Sequence, residues 1–151
     1  MTEKKAVVVQ IKGNTYATKS DSNHWVIMDT KPAGGGHGAG ASPKELLLSA
    51  IGGCTSSDVV SILTKKRVDL KHYEVHLRAK ERDEHPRIFT DVHMEYVFYG
   101  NNLNKNDIEK AIELSTTKYC GVSAMVQPTV TLTHSYRIEP ADDVPLTADA
   151  E

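Results

Sequence analysis

One stretch constrains this chain more than any other: Ser42–Leu63, reading SPKELLLSAIGGCTSSDVVSIL. It opens on a doubled helix-start signal. Ser42 can cap the first free N–H groups, and Glu45, three residues on, can reach back to the Ser42 N–H. Pro43 falls at the first helical position, where a missing N–H costs nothing. From Leu46 to Cys54 only Ser49 is polar, so the helix is apolar on nearly every side. A helix of that kind is expected to be buried. The apolar run is too short to span a bilayer, and Thr55–Asp58 interrupts it. Gly52-Gly53 opposes helix propensity by roughly 1 kcal/mol per residue. Either another backbone or a ligand passes close beside Cys54, or the helix packs tightly there.

The remaining elements follow from periodicity and turn signals. Val7–Lys12 and Thr15–Lys19 read as strands around the Gly13-Asn14 turn, and His24–Asp29 as a third. Lys31–Ala41 is a glycine-rich loop, expected to be mobile or closely approached. Lys65-Lys66-Arg67 suits the helix C-terminus. Lys71–Glu81 alternates, with Tyr73, Val75, Leu77 and Ala79 on one face and His72, Glu74, His76, Arg78 and Lys80 on the other. Ile88–Tyr99 pairs with it as a hairpin. Asn104 caps a second helix that ends near Tyr119-Cys120, with Gly121 as its stop. Thr129–Ile138 is the last strand, and Glu139–Glu151 reads as a loose tail. The order β-β-β-α-β-β-α-β, with hairpins, predicts a single α+β domain over 1–151 built on antiparallel sheets.

Twenty acidic and eighteen basic residues are interspersed, for a net charge of −2. That pattern offers no nucleic-acid footprint and no membrane-surface patch. The N-terminus has no apolar segment behind its charges, so no signal peptide is read. A soluble cytoplasmic protein is the expectation.

Three groups of residues bear chemistry. The glycine loop lacks Gly-Lys-Ser/Thr and the dinucleotide spacing, which argues against a phosphate site. His72 and His76, with Glu74 between them, could hold a metal together with Asp91, His93 and Glu95 from the partner strand. A solvated sheet face explains the same pattern more simply. His134 falls on the apolar side of the last strand and reads as a hydrogen-bonded core histidine. The two cysteines, Cys54 and Cys120, are too few for a disulfide scaffold. They are either small buried hydrophobes or a redox pair. Cys54 lies three turns from its helix N-terminus, and Cys120 at a helix C-terminus, where the dipole disfavours a thiolate. If one of them attacks, it should be Cys54.

With these residues in view, the chain resembles the OsmC/Ohr (organic hydroperoxide resistance) family. The carriers are SPKELLLSAIGGCT (42–55), DVVSIL (58–63), KYCGVS (118–123) and VTLTHSY (130–136). The resemblance spans about residues 7 to 138. It implies an OsmC-like fold in an intertwined homodimer around two long helices, with a thiol peroxidase site at the subunit interface. Cys54 would be the peroxidatic cysteine and Cys120 the resolving one. The substrate would be an organic hydroperoxide and the reductant an external dithiol, with no metal or organic cofactor needed. Two positions depart from the family's hydroperoxide reductases. Lys44 stands where they carry a glutamate, with Glu45 next to it, and no arginine precedes Arg67. Lys19, His24, Lys31 and Lys44 are the candidates to support the thiolate instead, which points to a more distant OsmC-like subgroup. Lys44 lies about 15 Å from Cys54 along an unbroken helix, so help from a helix start must come from a partner chain. The rival reading is a non-catalytic protein on the same fold that binds a small apolar ligand.

Overall fold

A computed structural model describes residues 1–145. They fall into two compact units, residues 1–47 and a second beginning at Leu48.

The first unit is an antiparallel sheet of β1 (Ala6–Lys12), β2 (Thr15–Ser20) and β3 (Trp25–Met28), in that order. Gly13 makes the β1–β2 turn at φ +54°, where a side chain would be strained. Every residue of β1 is exposed, and so are Trp25, Val26 and Ile27 of β3. The glycine loop is built around a buried acid rather than left mobile. Asp29 is 1% exposed. Its carboxylate accepts bonds from the Thr15 hydroxyl (2.8 Å) and from the N–H groups of Thr30 (2.6 Å), His37 (3.2 Å) and Ala39 (3.1 Å). Burial alone would raise this carboxyl, but those donors outweigh it and hold it down at about 2. Gly36 is required here, since a Cβ would lie 2.0 Å from the Thr30 carbonyl oxygen.

Helix α1 (Pro43–Lys65) starts on the expected capping box. The Ser42 N–H donates to Glu45 Oε2 (2.6 Å) and the Glu45 N–H to Ser42 Oγ (3.3 Å). Its burial within one chain is one-sided. Ile51, Thr55, Val59 and Leu63 form one buried stripe, with Gly52 beside it, while Leu47 stays 41% exposed. One chain supplies a covering layer on one face only, so the rest of the apolar surface is left open. By length and apolarity α1 as a whole could cross a bilayer, although its longest apolar run is short. Its stripe instead joins the core of the second unit.

That core is formed by the sheet β4 (His72–Glu81), β5 (Phe89–Tyr99) and β6 (Thr131–Glu139), in that order. Val92, Met94, Tyr96 and Phe98 point from β5 toward the α1 stripe and toward Ile108, Ala111 and Ile112 of α2 (Lys105–Leu114). Asn104 caps α2 by accepting from the Asn106 N–H at 2.8 Å. β4 and β5 form the antiparallel hairpin, but β6 runs parallel to β5. The segment carrying α2 returns the chain to the starting edge, which is the crossover a parallel neighbour requires. Gly52 has a packing explanation: a Cβ there would meet Leu77 Cδ1 of β4 at 2.6 Å.

The second helix ends differently from the sequence reading. After Leu114 the chain widens into a π-helical turn, Ser115–Tyr119, closed by the Cys120 N–H donating to the Ser115 carbonyl at 2.9 Å. Gly121 then begins a short helix, α3 (Gly121–Val126), instead of stopping one. Glu139 still belongs to β6, and the Ala141 N–H donates to Asn101 Oδ1 at 3.0 Å, so the chain is anchored up to there. Residues 146–151 of the expected tail lie outside the described residues.

Candidate functional site

The chemistry converges inside the second unit, where α1 passes the junction of the π-turn and α3. Cys54 and Asp58 stand one helical turn apart on α1 and share a face. Cys120 occupies the cap position of α3. One ligand atom from each, two Sγ and a carboxylate oxygen, all lie within 4.8 Å of one another. Both thiols are free, with Cys54 half-buried and Cys120 only 4% exposed.

Hydroxyl groups hold this triangle. Ser123 donates to Cys120 Sγ from its Oγ (3.0 Å) and its backbone N–H (3.4 Å). Burial pushes the Cys120 thiol up, the Ser123 bonds pull it back, and the neighbouring Cys54 adds to the rise. Ser115 Oγ donates to Asp58 Oδ2 at 3.0 Å. Thr55 Oγ1 lies 2.9 Å from Ser115 Oγ and 2.8 Å from the Tyr96 hydroxyl, both fully buried contacts. The Ser115 proton is committed to Asp58, so Thr55 must donate to Ser115 and Tyr96 must donate to Thr55. The order is thus Tyr96 to Thr55 to Ser115 to Asp58. Burial raises the Tyr96 phenol, which keeps it protonated as the first donor. A cavity of about 320 Å³ reaches Asp58, walled by Ile62, Leu114 and Tyr119 and flanked by Ser61, Lys65 and Lys66.

The structure brings Cys54 and Cys120 together, as the redox reading requires. Within one chain the third member beside them is the acid Asp58. The structure corrects the setting of Cys120, which follows a π-turn and precedes α3. The other sequence candidates lie in the first unit. Lys19 sits over the Trp25 ring at 5.5 Å, and His24 is exposed in the β2–β3 turn. Glu45 serves the capping box, and its bonds from Ser42 lower its carboxyl. Lys44 is half-buried in the first turn of α1. On the hairpin, Glu74 is bonded to both His72 Nε2 (3.0 Å) and His76 Nε2 (2.8 Å), so the carboxylate separates the two imidazoles. His93 turns to Thr133 and Ser135. His134 is exposed, not in the core, because β6 is an edge strand; its ring lies edge-on to Tyr96. Sequence reasoning missed Asp58, Ser115 and Ser123. The available signal for Asp58 was a lone acid four residues after Cys54 on an apolar helix.

Comparison with known proteins gives the lineage. The sequence pattern of the family described as OsmC-like protein matches residues 35–135, two-thirds of the chain. The chain belongs to the OsmC-like protein family. Protein YhfA of Escherichia coli (strain K12) is 38% identical to this OsmC-like chain over 133 residues, covering 88% of it and 96% of YhfA. A hypothetical protein from Aquifex aeolicus VF5 superposes with a TM-score of 0.82 at 33% identity, over 93% of this chain and 98% of that one. An organic hydroperoxide resistance protein OsmC from Legionella pneumophila shares the fold, with a TM-score of 0.68 at 14% identity over 90% and 97% of the two chains.

Proposed function

We propose that this OsmC-like protein is a cytoplasmic, homodimeric, thiol-dependent reductase of organic hydroperoxides. The observation that carries the reading is the approach of two free sulfurs within 4.8 Å, one half-buried and one sealed. Family membership supports the redox class, and the Legionella relative is named for organic hydroperoxide resistance. In this reading Asp58 accepts the Cys54 thiol proton. The Cys54 sulfur attacks one peroxide oxygen, the S–O bond forms as the O–O bond breaks, and the leaving alkoxide takes the proton from Asp58 and departs as an alcohol. Cys54 is now a sulfenic acid. Cys120, kept as a thiol by burial, condenses with it, releasing water and forming the disulfide. An external dithiol returns both cysteines to thiols by exchange. The apolar surface left open on α1 and on β1 and β3 supports a second copy as the cover.

Thiol titration before and after cumene hydroperoxide tests this. Loss of both thiols per chain is expected, and Cys54→Ser should abolish dithiol-dependent peroxide consumption. Full activity in that variant refutes the assignment. Two thiols still titratable after peroxide would leave the rival, a ligand-binding protein on this fold.

A further inference from the structure

The sulfur pair and Asp58 are also a ligand set. We propose that in the reduced protein Cys54, Asp58 and Cys120 bind one soft divalent cation, with Zn²⁺ the fitting member of that class. Two thiolates and a carboxylate are donors that Zn²⁺ favours, and a hard cation such as Mg²⁺ does not take sulfur. Bond lengths of about 2.3 Å to sulfur and about 2.0 Å to oxygen put tetrahedral donor atoms roughly 3.3–3.8 Å apart. The three atoms already lie within 4.8 Å of one another, so side-chain rotations of about an ångström close the site. Three protein ligands leave a fourth position for water.

The surroundings are arranged as a ligand-orienting shell. Ser115 fixes the Asp58 carboxylate, with Thr55 behind it, and Ser123 fixes Cys120 through two donors. Two of the ligands share one face of α1, and the third comes from a separate element, so the site is formed by the folded chain only. The cavity of about 320 Å³ reaches the Asp58 ligand, and Cys54 is half-buried. Binding itself does not depend on the peroxidase reading. A consequence that rests on it is competition: the disulfide removes two of three ligands, so a bound ion shields the thiols and oxidation releases it.

The experiment is a Co²⁺ titration of the reduced full-length protein under anaerobic conditions, followed by displacement with Zn²⁺. One ion per chain, with tetrahedral visible bands and a sulfur-to-cobalt charge-transfer band, is expected. Cys54→Ser and Cys120→Ser should lose that band, and Asp58→Asn should weaken Zn²⁺ binding by at least about tenfold. Ser115→Ala should also weaken it, by about tenfold or more. Wild-type protein alkylated with iodoacetamide should bind no ion, which covers the case of a serine variant that fails to fold. Binding without the charge-transfer band, unchanged affinity after alkylation, or no binding at all overturns the proposal. Peroxide-driven thiol loss measured without metal judges the peroxidase reading separately.

Discussion

Replacing Thr55 with valine removes one oxygen from the middle of the buried relay while keeping the side-chain shape. Thr55 is fully buried and joins Tyr96 to Ser115 at 2.8 and 2.9 Å. In the variant the Tyr96 hydroxyl keeps only Met94 sulfur, at 3.9 Å, and Ser115 keeps Asp58 but loses the proton it accepted. Each stranded buried group costs about 1–3 kcal/mol, and both retain one partner, so a loss of about 2–3 kcal/mol is expected. For a chain of this size that lowers Tm by about 5–10 °C. The order of donors makes a finer claim. Tyr96→Phe removes only the first donor and leaves Thr55 with an unused lone pair, so it should cost about 1 kcal/mol, less than Thr55→Val. Denaturant unfolding at one fixed protein concentration measures both, because self-association would shift the midpoint. A Thr55→Val loss under about 0.5 kcal/mol, or a larger loss in Tyr96→Phe, would refute the relay and its direction.

Other expectations concern the first unit and assembly. Gly36→Ala forces a Cβ to 2.0 Å from the Thr30 carbonyl and 2.5 Å from Asp29 Oδ1, and should destabilise by about 1–3 kcal/mol or more; near-neutral unfolding would contradict the built loop. Asp29 is held at about 2, below the ordinary carboxyl value, so its contribution is complete above that ordinary value and disappears as pH falls through about 2. Tm measured from pH 5 down to 2 should therefore fall less steeply in Asp29→Asn than in wild type. Ser42→Ala removes the α1 cap and should cost about 1 kcal/mol by the same unfolding measurement. Sedimentation should report twice the chain mass, and a monomer at micromolar concentration would count against the second copy.

The sequence carried the elements well where local chemistry dictates them. The capping box at Ser42 and Glu45, the alternation of β4 and the Asn104 cap are interactions between residues a few positions apart, and all three are present. Gly121 misled because glycine at a helix end and glycine at a helix start look alike locally; the widened turn before it depends on what packs around Ser115. For the glycine loop, composition left open whether it is mobile or closely approached, and the structure shows the second: the buried Asp29 carboxylate draws its N–H groups inward, and no spacing rule reveals which acid will be buried.

By itself, then, the chain determined its α+β element order, its long apolar helix and the identity of two cysteines worth pairing. Only the tertiary structure decided that their sulfurs meet, that Asp58 stands beside them, and that β6 runs parallel to β5. Periodicity and capping act over one or two turns of chain, whereas these outcomes depend on which distant surfaces exclude water together.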